Sequence, residues 1–152
     1  MPIVRICPDS GVSQPRAERA LRYWRRLGYN IGPVFVDPGN DMTCFNGGRS
    51  GEITIMLVTS DINMANHLAI TRNYFYSDTK EILKAQIYIL STARSKERVL
   101  EHEIGHALGW MHYNRRHHVM NSLYTNSGHD SSGLDIRSYT RQIIEIESEI
   151  LK

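Results

Sequence analysis

The sequence predicts an α+β fold, with one twisted, mixed sheet of about five strands packed by three helices in α/β-like layers. Three observations carry this. The elements follow the order β-α-β-β-β-β-α-α, in which strands cluster rather than alternate strictly with helices. Residues 52–59 form a nearly continuous β-branched and apolar run, as a strand covered on both faces requires. With 152 residues and 41% apolar content, the chain can bury a core as one domain spanning 1–152.

Residues 2–7 are β-branched and run into Pro8-Asp9-Ser10-Gly11, giving a first strand and a turn. A helix follows, with Pro15 in its first turn. Ala17, Ala20, Leu21, Trp24 and Leu27 recur at helical spacing, and Gly28 stops the helix. Arg16, Arg19, Arg22, Arg25 and Arg26 fall mainly off that stripe and read as a solvated outer face. Val34-Phe35-Val36 is a second strand, and residues 40–51, rich in glycine, are a loop. After the central strand, residues 68–76 mix aromatic and polar side chains, as a half-exposed strand near a sheet edge does. Residues 86–90 form a further strand. A helix is expected over 95–110, with Ser95 as its N-cap and Arg98 inside it. Residues 111–134 are loop-like. A last helix over 135–152 carries the stripe Ile136, Tyr139, Ile143, Ile146 and Ile150.

Charge singles out no partner. There are 18 basic and 16 acidic side chains, without a long basic run, so no nucleic-acid footprint is expected. The sequence has neither an N-terminal apolar h-region nor a long apolar span, and a soluble monomer without membrane partners is expected. Cys7 and Cys44 do not form a close C-x-x-C pair. They can be free thiols or one disulfide, and free thiols are favoured because two cysteines do not make a disulfide framework.

The chemistry concentrates in His102-Glu103-Ile104-Gly105-His106. Two imidazoles four residues apart on a helix lie one turn apart on one face and can grip one ion. Glu103, about 100° round the helix from His102, can meet a metal-activated water without ligating the metal. Zinc catalysis needs a third protein ligand and an open fourth position, and His112 supplies the third. On an unbroken helix His112 would lie about 9 Å beyond His106 and about 240° around the axis, facing away. The helix must therefore end between them, and Gly109 can turn the chain back in the left-handed conformation. A chance match to the full spacing, His-Glu-x-x-His-x-x-Gly-x-x-His, is on the order of 10⁻⁴ for this composition.

This motif resembles the zinc-binding signature of the metzincin clan of metallopeptidases. In the clan a methionine-containing turn lies beneath the metal, and Met120 in His118-Val119-Met120-Asn121 follows His112 at a spacing similar to that of the matrixin branch. The resemblance implies a zincin-like fold with one antiparallel edge strand. It also implies an N-terminal subdomain, 1–109, holding the sheet and active-site helix, and a small C-terminal subdomain, 110–152, holding the turn and last helix. Met120 would be a floor under the ligands. Two departures set the chain apart. Tyr113 stands where matrixins usually carry Ser or Thr, and no histidine-and-aspartate cluster matches their second zinc site, which His67 alone cannot make. The chain therefore reads as a minimal, matrixin-like member of the clan, not a true matrixin, and structural calcium is unsupported.

Weaker signals are read conservatively. Arg5-Ile6-Cys7-Pro8-Asp9 is similar to a cysteine switch but is better used as the first strand. His117, His118 and His129 are expected to be exposed loop histidines, since a fourth protein ligand would close the position water needs. Tyr124 is left unassigned. The expected function is a zinc endopeptidase with one catalytic Zn²⁺ on His102, His106 and His112, Glu103 as general base, and a peptide or protein substrate. The alternatives are a zinc-stabilised binding or inhibitory module without turnover, and a zinc amide hydrolase acting on a non-protein substrate.

Overall fold

A computed structural model describes residues 1–40, 42–59, 62–64, 66–79 and 82–138. Five strands, β1 (Ile3–Ile6), β2 (Val34–Val36), β3 (Glu52–Leu57), β4 (Ala69–Phe75) and β5 (Ile82–Ile89), form one sheet in the order β2-β1-β3-β5-β4. The first four in that order are parallel, with Val4 opposite Val34, Ile3 opposite Glu52, and Ile53 opposite Ala85. β4 pairs antiparallel with β5, Ala69 opposite Ile89, and forms the sheet edge with a register shift at Tyr74/Phe75. The expected mixed sheet with one antiparallel edge strand is observed, although β5 begins four residues earlier than the sequence suggests.

Alternation along the strands divides the sheet into two unlike faces. Val4, Ile6, Ile53, Ile55, Ala85, Ile87 and Ile89 are buried in the main core, together with Leu21 and Trp24 of α1 (Gln14–Arg25) and Leu100 and Ile104 of α2 (Val99–Ala107). Arg5, Glu52, Thr54 and Gln86, at intervening positions, are polar and buried. Arg5 donates to Glu52 at 2.7 and 2.9 Å and pairs with Asp37. Gln86 donates to the Gly47 carbonyl at 2.9 Å, so the 42–51 loop closes over this face. β3 is thus covered on both sides as expected, but one cover is a polar loop.

That loop is fixed by a disulfide between Cys7 and Cys44, whose Cα atoms are 5.9 Å apart. The expectation of free thiols is corrected: the end of β1 and the loop, 37 residues apart in sequence, meet on the same sheet face. Composition alone does not bring them together.

Ser13 caps α1, accepting from the Arg16 backbone N–H at 3.2 Å, and Gly28 ends it with φ 98°. The all-solvated arginine face needs one correction. Arg19, Arg22, Arg25 and Arg26 are exposed, but Arg16 is buried and grips both oxygens of Glu101 on α2 at 2.9 and 2.7 Å. Trp24 Nε1 donates to the Glu101 carbonyl at 2.8 Å, so α1 and α2 are joined by polar bonds as well as packing.

α2 is shorter at both ends than predicted. Residues 91–98 form successive turns, and Arg98, not Ser95, is the N-cap, with φ 69°. A left-handed residue there prevents the helix from extending upstream. A helical turn opens at 136–138 with Asp135 accepting from Arg137 and Ser138 N–H groups at 3.0 and 3.1 Å. The rest of the expected last helix, including Tyr139, Ile143, Ile146 and Ile150, lies outside the described residues.

Candidate metal centre

Gly109 has φ 107°, and its N–H donates to the His106 carbonyl at 2.9 Å while the Trp110 N–H reaches the Gly105 carbonyl at 3.0 Å. This pair of bonds is the Schellman ending, which closes the last turn and redirects the chain. As a result His112 turns back to α2. Its Nε2 lies 3.1 Å from Nε2 of His106, which lies 3.1 Å from Nε2 of His102.

The outer nitrogens orient the rings. His102 Nδ1–H donates to the Val119 carbonyl at 2.7 Å, and His106 Nδ1–H donates to the Trp110 carbonyl at 2.8 Å. A carbonyl can only accept, so both Nε2 atoms face inward with lone pairs. Ligand atoms at about 2.0–2.1 Å from a tetrahedral zinc stand about 3.3 Å from one another, close to the observed spacing. Converging lone pairs repel unless a cation is shared between them, so the donor set fits zinc. Burial lowers the His102 pKa to about 4, with help from the neighbouring His106, and burial also lowers His106 and His112. All three are thereby biased to the neutral form a metal requires.

Glu103 is buried, and burial pushes its carboxyl up to about 7 against the opposing hydrogen bond from Thr71. The Thr71 hydroxyl donates to Glu103 Oε2 at 2.5 Å, and Asn73 Nδ2 donates to the His106 carbonyl at 2.8 Å. Neither Thr71 nor Asn73 was singled out from the sequence. The available signal was period two: Ala69, Thr71 and Asn73 share one face of the predicted edge strand.

Met120 is fully buried and lies against α2. A Cβ on Gly105 would come within 2.5 Å of Met120 Sδ and 2.7 Å of Trp24 Cζ2, so glycine permits this close approach. His118 corrects another expectation. His117 and His129 are exposed, but His118 is fully buried, accepting from the Met120 N–H at Nδ1 (3.0 Å) and donating from Nε2 to the Ser132 carbonyl (2.9 Å). Both ring nitrogens serve the 118–121 turn, so burial costs the ring no unpaired polar atom. Cys7 lies in the disulfide, and its segment is β1 followed by a short 3-10 turn, as the strand reading expects.

The three histidines and Glu103 lie in a cleft of about 750 Å³ between β4, α2 and residues 121–127. Ala69, Thr71 and Asn73 line its β4 wall. Arg98, at the N-terminal end of α2, and Tyr124 also line it, as do Phe75, the last residue of β4, and Met111, beyond the C-terminal end of α2. Among the described residues no helix is long and apolar enough to cross a membrane.

The chain belongs to the matrixin family, whose model matches residues 43–140 and so takes in β3, β4, β5, α2 and the turn beneath it. It is a domain of the zinc metallopeptidase type, and three of its histidines can bind a metal. No curated protein matches the chain. Tyr113, set apart in the sequence from the usual matrixin Ser or Thr, is a feature of this member. Its N–H donates to the Met120 carbonyl at 2.9 Å, and its ring meets His118 edge-on at 4.8 Å.

Proposed function

We propose that this matrixin-family chain is a zinc-dependent endopeptidase in which His102, His106 and His112 hold one zinc and Glu103 is the general base. The observation that carries the reading is the convergence of the three Nε2 atoms beside a buried carboxylate, in a cleft bounded by a sheet edge that no described strand pairs with. Zinc bound there supplies Lewis acidity, activating water and polarising the scissile carbonyl. Glu103 takes the proton from that water and returns it to the leaving nitrogen. Thr71 holds the carboxylate in place from β4, and Met120 forms an apolar floor against Gly105.

An extended peptide lies along the outer edge of β4, whose backbone groups supply ladder hydrogen bonds independent of side-chain identity. The same strand therefore guides the substrate and, through Thr71 and Asn73, braces the base and a ligand-bearing helix.

The test is cleavage of a mixed peptide library by wild type, Glu103→Ala and chelator-treated protein, read by mass spectrometry. Chelation should abolish cleavage and zinc should restore it, while Glu103→Ala should lower turnover by about 10²–10⁴-fold with the metal retained. Undiminished cleavage by Glu103→Ala would remove Glu103 from the mechanism. Stoichiometric zinc in a wild type that cleaves no peptide would fit a binding module instead.

A further inference from the structure

Among the described residues, three guanidinium groups are withdrawn from bulk water, and two of them are locked by carboxylates. Arg5 is held by Glu52 and Asp37, and Arg16 by both oxygens of Glu101. The third, Arg98, lines the cleft. Its side chain is 19% exposed, and the acid it meets among the described residues is Glu97, at 3.7 Å and itself 72% exposed. Arg98 Nε makes a long hydrogen bond of 3.4 Å to Ser127, and its Cζ lies 4.9 Å from the Tyr124 ring centroid. Lys96 Nζ lies 5.5 Å from the same ring. Two cations thus share one aromatic platform at one end of the cleft.

The backbone at Arg98 points the same way. Its φ of 69° is disfavoured for any residue with a Cβ, and the side chain makes no capping hydrogen bond to α2 in return. Glycine or asparagine would hold this position at lower cost. The arginine is thus better accounted for by what its head group meets in the cleft than by the helix end it occupies.

We infer that Arg98, stacked on Tyr124 in the cleft wall, selects a substrate carrying an acidic side chain just after the scissile bond. The inference rests on the peptidase reading above. β4 and α2 run in the same direction, since Thr71 meets Glu103 and Asn73 meets His106. A peptide pairing antiparallel to β4, the more stable arrangement, enters at Phe75 and leaves past Ala69, at the Arg98 end. Residues on the C-terminal side of the cut therefore pass the guanidinium. The Tyr124 ring beneath the guanidinium holds the head group in the cleft wall, and its remaining N–H groups can meet a carboxylate. Glu103, the one acidic group among the described cleft-lining residues, sits beside the three histidines.

The experiment compares kcat/KM for peptide pairs differing only as Glu against Gln at the first or second position after the cut. For the zinc-loaded wild type the Glu peptide should be preferred about tenfold at one of these positions, the size expected of one charge-assisted hydrogen bond. The ratio should fall to about one in Arg98→Gln, and Arg98→Glu should instead favour Lys at that position. A wild type that cleaves with a ratio near one, or an Arg98→Gln variant that keeps the preference, overturns the inference and leaves the peptidase reading intact. Zinc-loaded wild type that cleaves nothing fails the peptidase reading itself and takes the preference with it. If the variants do not fold, the wild-type ratio at about 50 and about 500 mM salt decides: it must fall toward one as screening rises.

Discussion

Two of the polar clusters in this protein, one buried and one half-buried, are assembled from opposite kinds of partner. On one face of the sheet, Arg5 of β1 meets Glu52 of β3 and Asp37 just beyond β2, a cation between two anions, with Phe35 4.6 Å from the guanidinium carbon. On α2 and the turn after it, three imidazoles bring nitrogens of the same kind together at 3.1 Å. The first cluster satisfies itself, and Arg5 and Glu52 shift to hold their charges: Arg5 is raised and Glu52 is lowered. The second contains no acidic partner of its own and can be satisfied by a shared cation. A polar cluster that stabilises a fold is complete without a ligand, whereas one built to bind is held together by its surroundings, here the Val119 and Trp110 carbonyls.

The contrast breaks most sharply at His106. His106→Ala should abolish zinc retention at stoichiometric loading and lower peptide cleavage by at least about 10³-fold, because activation of the water depends on the metal. The metal-free unfolding free energy should change by only about 1 kcal/mol, the worth of one hydrogen bond. Zinc content and chelated thermal melts check the two halves, and a large loss of metal-free stability would show that the histidine cluster is structural after all.

Arg5→Ala should do the reverse. Removing the cation strands two buried carboxylates, at a cost of about 3–5 kcal/mol, while the folded fraction still binds one zinc per chain. Denaturant melts with zinc titration measure this.

A smaller effect tests the seam between site and core. Gly105→Ala should cost about 1–3 kcal/mol, since the methyl group would displace Met120 and Trp24, and it should weaken zinc binding by tilting the turn that carries Val119. A variant as stable as wild type, with unchanged zinc affinity, would separate Met120 from the site.

The smallest expected effect is acid sensitivity in the self-satisfied cluster. Burial raises the Glu52 pKa, but the hydrogen bonds and charge of Arg5, with Arg49, outweigh it and leave the pKa below its usual 4.5. A depressed carboxylate contributes stability that is fully present above the unfolded value and lost as pH falls through the folded one. Chelated protein should therefore lose stability below about pH 4.5, and Glu52→Gln should flatten that acid limb. An unchanged slope would remove Glu52 as its source.

Much of the site was legible because it is local. His102, His106 and His112 lie within eleven residues, so helix periodicity and a left-handed Gly109 suffice to bring them together. The strands were legible from their β-branched runs, and β4 from its mixed polarity. What was missed is carried by distant partners. Thr71 reaches Glu103 across 32 residues, Arg16 reaches Glu101 across 85, and Cys7 reaches Cys44 across 37. His118 looked like one more loop histidine because its partner, the Ser132 carbonyl, lies on a segment with no periodic signal.

The sequence by itself determined the α+β class, the order of elements as far as α2, the convergence of the histidine triad and the glycine that turns the chain after α2, since each depends on backbone preferences within a few residues. Only the tertiary structure decided which polar residues are paired, which histidine is buried, that Arg98 rather than Ser95 opens α2, and that its head group faces the cleft. Those outcomes depend on which surfaces the sheet and helices bring within hydrogen-bond reach, and a one-dimensional pattern carries that distance only weakly.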